Sequence, residues 1–410
     1  MIVDAAARSA FVARRMPGAP VVALRLVLPG GSRREAIPGQ ALVTGRMLAE
    51  GTAEHDWHAL ADLAERRGMS VAGWASLEAH GVAIDALGSE WERALELAAE
   101  LAFASEFPAD RLEWTARHAA AELTAQEDQA DLMTARAFAE QLWAPNPKGR
   151  PLQGDAESLA RLGREECRNF HAAALRRGGW LIVAGEIDES AVAVAAERCF
   201  PRLAPAADDG FSPAPPPPRA AGRREVRTRA RDQAHLLVGQ RTVDRRHPDY
   251  EALELAAVAL GAGAGLTGRI PNRVRDREGL AYVASADLVA GAGLDAGRLT
   301  AYVGTGPKNL AQAERAIREE LARFVAEGIS ERELANARSY LLGREPFRRE
   351  TARQWADLAA HSLVVGLPLT DAAWRRDRLA AVDRGAVDAA LRRHIELDAL
   401  AVTTGLPTVD

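Results

Sequence analysis

His55 and His58 are the closest pair among the chain's nine histidines, and Asp62 stands four residues beyond the second. Positions three and four apart share one face of a helix, so this spacing offers two imidazoles and a carboxylate to a single metal ion. The same residues also suit the solvated side of an amphipathic helix, because Trp57, Leu60, Leu63 and Ala64 recur around them at helical spacing. Two other clusters raise phosphate chemistry. Arg227, Arg229 and Arg231 alternate within Arg223 to Arg231 and share one side of an extended segment. The alternative for them is an edge strand kept soluble by charge. Gly261, Gly263, Gly265 and Gly268 follow a helical pattern, not a strand, and match neither G-x-x-x-x-G-K-[ST] nor G-x-G-x-x-G, which argues against a nucleotide cradle.

The chain that must position these groups has 410 residues, enough for two cores of about 200 residues each. Its 48% hydrophobic and 27% charged residues are ordinary for a soluble globular protein. A net charge of -5 provides no basic field for nucleic acid or an anionic membrane, so neither is expected as a partner. No apolar run is long enough for a membrane span, and the N-terminal residues lack the pattern of a secretory leader. The cytoplasm is the expected compartment, or the periplasm if a leader has been removed. Cys167 and Cys199 have no metal-type spacing and read as two buried thiols in a reducing compartment.

Val21 to Leu28 is almost continuously apolar, with Arg25 its polar break, and reads as a buried strand. A helix opens at Pro38-Gly39, and a second runs from about Asp56 to Gly68. Met69 to Ala75 and Gly81 to Leu87 read as paired strands. Trp91 to Phe103 is an amphipathic helix, and a longer one starts after Phe107-Pro108. Beyond a turn-rich loop at Asn146 to Gly154, one helix is predicted over Glu157 to Leu175 and a buried strand over Trp180 to Gly185.

Residues 204–222 hold six prolines, four of them consecutive at Pro215 to Pro218, and read as a semi-rigid linker between domains 1–203 and 223–410. The chain then repeats itself. At an offset of 211, Ala23, Leu26 and Val27 fall on Ala234, Leu237 and Val238, and Ala41 and Leu42 on Ala252 and Leu253. At an offset of 222, Leu95, Phe107 and Leu112 fall on Ile317, Ile329 and Leu334, which implies an insertion near Gly291 and Gly293. Ser330 with Glu333 makes a capping box for a late helix in the second copy.

Pro38 to Thr52 resembles the zinc-site helix of the pitrilysin-type (M16, insulinase-like) metallopeptidases, P-G-x-A-H-x-x-E-H-M-L-x-x-G-T. Pro38, Gly39, Ala41, Met47, Leu48, Gly51 and Thr52 match. The chemical positions do not: Leu42 and Arg46 stand at the two zinc-binding histidines and Gly45 at the glutamate base. Zinc needs N, S or O ligands, which an alkyl group, a bare backbone and a guanidinium do not supply. Ala121 to Asp128 is similar to the family's E-E-I-x-x-x-E-D segment, so Glu122 corresponds to the distant third ligand. Asn146 to Gly154 is similar to H-P-x-G-R-P-x-x-G, and Trp180 to Gly185 to the closing strand V-V-V-G-D. Gly263 to Tyr282 aligns without a gap with the second-half signature G-G-G-M-S-S-R-L-F-x-x-V-R-E-x-x-G-L-A-Y. Pro271 departs from it and is predicted to kink or end the local helix.

The resemblance implies an α+β fold of two homologous domains of the LuxS and mitochondrial-processing-peptidase kind. Each would be a mainly antiparallel sheet with helices on one face, and the two would close as a clam shell. It implies a chain inactive by itself, with no zinc of its own at the degenerate positions Leu42, Gly45, Arg46 and Glu122. Arg275 and Tyr282, seven apart, would serve a partner subunit that carries H-x-x-E-H and zinc, the arginine holding the peptide substrate and the tyrosine stabilising an oxyanion. The alternatives are a structural relative without proteolysis and a self-associating peptide-binding protein, a homodimer in isolation.

Overall fold

The computed structural model describes residues 9–408 apart from 208, 219, 230, 231, 264–267, 370 and 371. Two five-stranded sheets organise it. The first comprises β1 (Phe11–Arg15), β2 (Val21–Pro29), β3 (Ser70–Ala75), β4 (Ala79–Leu87) and β5 (Trp180–Gly185), in the order β1-β5-β2-β4-β3. The second comprises β6 (Gly222–Thr228), β7 (Ala234–Arg241), β8 (Ala281–Ala290), β9 (Arg298–Thr305) and β10 (Ala401–Pro407), in the order β6-β10-β7-β9-β8. Among the described residues, only β1 with β5 and β6 with β10 pair in parallel. Adding five to each label turns one order into the other, so the repeat in the sequence is a repeat of topology, and the two-domain α+β fold is present.

Helices of the first half are α1 (Gln40–Met47), α2 (Trp57–Arg66), α3 (Trp91–Phe103), α4 (Ala109–Glu127), α5 (Ala130–Trp143), α6 (Ala156–Ala160), α7 (Arg164–Arg177) and α8 (Glu189–Cys199). The single helix predicted over Glu157 to Leu175 is instead α6 and α7. Gly163 is extended between them, at φ -113° and ψ 176°, and the Glu166 carboxylate accepts its N–H, a restart that a continuous helix would lack. The second half supplies α9 (Tyr250–Ala257), α10 (Arg269–Pro271), α11 (Leu310–Glu327), α12 (Glu331–Arg344), α13 (Ala352–Val364), α14 (Ala372–Ala381) and α15 (Arg384–His394). Ser330 caps α12 through the predicted box with Glu333. Cys167 is buried and Cys199 half-buried, both as free thiols, and burial pushes the Cys167 thiol up to about 11.

Both faces of each sheet are covered, which explains the nearly unbroken apolar run in β2. Val22, Leu24, Leu26 and Leu28 join a core with Leu42, Met47, Leu95, Leu101 and Cys167. The alternate residues Ala23 and Val27 pack with Ile182, Ala184 and, from α13, Ala352, Ala356, Ala359 and Leu363. Arg25, on that second face, is buried and paired with Asp357 of α13 at 2.6 Å and Asp85 of β4 at 3.0 Å. In the other sheet, Leu237 and Ala401 pack with Phe138, Leu142 and Trp143 of α5. Ala130 and Ala352, which open α5 and α13, stand at the offset of 222, so the same element of each repeat covers the sheet of the other half.

The folded units are accordingly not the contiguous stretches 1–203 and 223–410. As far as the residues are described, the first unit gathers Met1–Leu123, Pro151–Pro213 and Pro346–Thr370, and the second Thr124–Arg150, Ala214–Glu345 and Asp371–Asp410. Each half leaves one sheet face short of apolar cover and receives a helix from the other.

Two histidines are sealed inside the first unit. His171 Nε2–H donates to the Ala102 carbonyl at 2.7 Å, so its Nδ1 faces His80 Nε2, 3.5 Å away, as an acceptor. His80 Nδ1 is buried with no hydrogen-bond partner among the described residues. Burial holds both imidazoles below the ordinary histidine range, His80 well below it. Their folded pKa values are depressed, so the unfolded chain binds more protons as pH falls below about 6.5. Stability should be constant in this respect above that pH and decline below it, by up to about 1.4 kcal/mol per pH unit for each histidine. Urea unfolding between pH 5.5 and 7.5 measures this, and an unfolding free energy flat over that range would contradict it.

Candidate functional site

Helix α1 carries the degenerate zinc-site positions, and its approach to β3 decides what they can hold. Leu42 is 6% exposed and belongs to the apolar core of the first unit. Gly45 lies directly against β3: a Cβ there would come within 2.4 Å of the Trp74 carbonyl oxygen, and a Cβ on Gly73 within 1.9 Å of the Gly45 oxygen. Helix and strand therefore touch backbone to backbone through two glycines. A glutamate at position 45 has no room.

Arg46 projects from the last turn of α1 toward α4. Its Nη2 donates to both carboxylate oxygens of Glu122, at 2.9 and 3.0 Å. The two side chains are 28% and 30% exposed. His118, one turn before Glu122, places its Nε2 3.4 Å from the same carboxylate. The carboxylate that corresponds to a third zinc ligand is thus occupied by a guanidinium, which brings a positive charge and fixed N–H donors but no lone pair for a metal. The donor set does not fit zinc.

His55, His58 and Asp62 are not gathered around a common point. Helix α2 begins after the cap residue Asp56, so His55 lies ahead of it. There His55 Nδ1 is 2.8 Å from Glu100 Oε1, which also accepts from Thr52 Oγ1 at 2.6 Å. His58 is exposed and stacks near Trp57, while Asp62 pairs with Arg66 one turn on. A surface cavity of about 730 Å³ lies beside them, lined by His55, Asp62, Arg66, Arg67 and Glu90 among others. The arginine run forms β6, an edge strand, where Arg227 pairs with Glu225 at 2.7 Å; Arg229, just beyond it, pairs with Asp128 at 2.6 Å. Arg231 and the centre of the glycine cluster lie outside the described residues.

Arg275 and Tyr282 sit on successive elements of the second unit. Pro271 does not stop the chain from being helical: Gly268 caps the helix, Pro271 is its third and last α-helical residue, and a π-helical turn, Asn272–Arg277, carries it on. A proline in the first turn gives up an N–H that has no intrahelical acceptor anyway. Arg275 lies on this continuation, its Nε 2.8 Å from Asp276 Oδ1. Tyr282 falls at a break in the pairing of β8 with β9, where Ala281 faces Thr305 and Val283 faces Gly304. A bulge of this kind re-aims a side chain. On this edge strand Tyr282 is 90% exposed.

Two family models match: Insulinase (Peptidase family M16) over residues 10–156 and Peptidase M16 inactive domain over residues 164–341. An uncharacterized zinc protease of Mycobacterium tuberculosis is 30% identical over 63% of this chain, which spans 58% of that relative's length. A non-peptidase homolog of Helicobacter pylori is 23% identical over 81% of this chain and 76% of its own. The crystal structure of a peptidase M16 inactive domain from Pseudomonas fluorescens superposes with a TM-score of 0.85 at 25% identity, covering 97% of this chain and 95% of that one. With both halves matched in order, the same fold and a ligand-free version of the motif helix, the chain belongs to the M16 (insulinase-like) peptidase family.

Proposed function

We propose that this chain is the non-catalytic subunit of a two-chain M16 zinc peptidase and supplies Arg275 and Tyr282 to the active site of a partner bearing H-x-x-E-H and the zinc. The observation that carries this reading is the placement of Tyr282 on a bulged edge strand, almost wholly exposed and following the arginine-bearing helix. A large phenol so exposed has no packing role in its own unit and is free to reach a reacting group elsewhere. The guanidinium of Arg275 carries its charge at any working pH and can hold a peptide carbonyl of the substrate. No helix among the described residues is long and apolar enough to cross a membrane. The cytoplasm is the compartment we propose.

The test is reconstitution. The purified chain should hydrolyse no peptide by itself, and mixing it with a zinc-bearing M16 subunit should raise that subunit's activity at least tenfold. A zinc-bearing subunit equally active alone would overturn the proposal. The name of the Helicobacter pylori relative, a non-peptidase homolog, favours a second reading as a structural or peptide-binding protein, a homodimer in isolation. Peptide binding without any effect on a zinc-bearing subunit would select it.

A further inference from the structure

The second unit brings together a histidine pair with a carboxylate that lies apart from the M16 site. His247 and Asp249 flank Pro248 in the turn leading into α9, and His394 closes α15, 145 residues later than Asp249. One ligand atom from each of the three lies within 4.8 Å of the other two. The imidazole rings stand perpendicular with centroids 4.9 Å apart. His394 Nε2 is 2.7 Å from Asp249 Oδ2, and these side chains are 15% and 19% exposed. Two imidazoles and one carboxylate, all half-buried, have the make-up of the three protein ligands of a zinc site.

We propose that His247, Asp249 and His394 bind one divalent transition-metal ion, zinc by ligand type, which ties the turn before α9 to the end of α15. The ion enters between His394 Nε2 and Asp249 Oδ2, and the Nε2 proton passes to Nδ1 of the same ring or, from a doubly protonated ring, to solvent. His247 contributes a nitrogen lone pair; its Nδ1 accepts the Asp249 N–H at 3.1 Å. Arg393 is the cation now nearest, with Nη1 2.5 Å from Asp249 Oδ2, but its side chain is 61% exposed and can swing into water when a doubly charged ion arrives. Oδ1 of Asp249 remains for the metal or for the displaced guanidinium. The C-terminal end of α15 adds the partial negative charge of its free carbonyls, which favours a cation at that point. Imidazole and carboxylate together suit zinc, cobalt(II) and nickel(II) better than calcium or magnesium.

The full chain, equilibrated with zinc chloride and dialysed, should hold about one zinc per molecule at pH 7.5. Saturating zinc should raise its Tm by several degrees, because a ligand that binds only the folded state stabilises it. His247→Ala, His394→Ala and the near-isosteric Asp249→Asn should each lose the zinc and the Tm rise, measured against the same variant without metal. His55→Ala and Glu122→Ala should keep both. Absence of bound zinc in the wild-type chain, or zinc retained in the folded His394→Ala and Asp249→Asn variants, would overturn the assignment. So would zinc lost on changing His55 or Glu122.

Discussion

Restoring the family motif by Leu42→His, Gly45→Glu and Arg46→His should yield an unstable chain with no zinc at that site and no peptidase activity. The obstacle is the contact between α1 and β3. Any side chain at position 45 begins 2.4 Å from the Trp74 carbonyl oxygen, and that neighbour is backbone, which yields only if β3 moves. Overpacking of this kind typically costs about 1–3 kcal/mol, and burying an imidazole at position 42 without a partner costs roughly another 1–3 kcal/mol. Together these are a large part of the total stability of about 5–15 kcal/mol typical of a folded domain. Gly45→Ala alone separates the causes: it should lower stability through packing without touching any charge. Denaturant unfolding of both variants and the zinc content of the triple variant relative to the wild-type chain are the measurements. A folded triple variant that binds one zinc more than the wild-type chain and cleaves peptide would show that only three side chains stand between this chain and an active enzyme.

The doubled architecture was legible because apolar spacing in β2, α1 and β7 survives at fixed offsets. What those offsets did not tell was which element covers the second face of each sheet. An apolar run such as Val21 to Leu28 says that both faces are buried, not by what; the signal available was α5 and α13 standing 222 residues apart, each with an apolar face. Arg25 belongs to the same lesson. A lone arginine in a buried strand needs an acid, and Asp357 lies 332 residues away, beyond the reach of any local pattern.

At the degenerate site the residue types were readable and their pairing was not. Leu42, Gly45 and Arg46 exclude zinc by chemistry alone, whereas the bond from Arg46 to Glu122 spans 76 residues and two helices. Opposite charges at two positions of one motif were the hint. The His55, His58 and Asp62 spacing misled because it assumed that the helix already includes His55. The cap at Asp56 puts that ring outside the helical repeat and against Glu100. His247 and Asp249 stand two residues apart in the sequence, yet only the return of α15 supplies His394.

The largest expected effect on catalysis belongs to Tyr282. A phenol O–H aimed at the oxygen that becomes negative in the tetrahedral intermediate acts mainly in the transition state, so its loss should fall on kcat with little change in KM. Removing one such donor typically costs about 3 kcal/mol, roughly a hundredfold in rate. Arg275→Ala should act differently and raise KM, because a clamp on the substrate backbone is felt before the chemical step as well. Tyr282 is exposed at a bulge, so replacing it with phenylalanine leaves the core untouched and a loss of activity cannot be ascribed to unfolding. The decisive measurement is steady-state kinetics of the zinc-bearing subunit reconstituted with either form of this chain. The expected result is a kcat about a hundredfold lower with Tyr282→Phe at an unchanged KM. An intact complex whose kcat is the same with both forms would contradict it and leave this chain a scaffold.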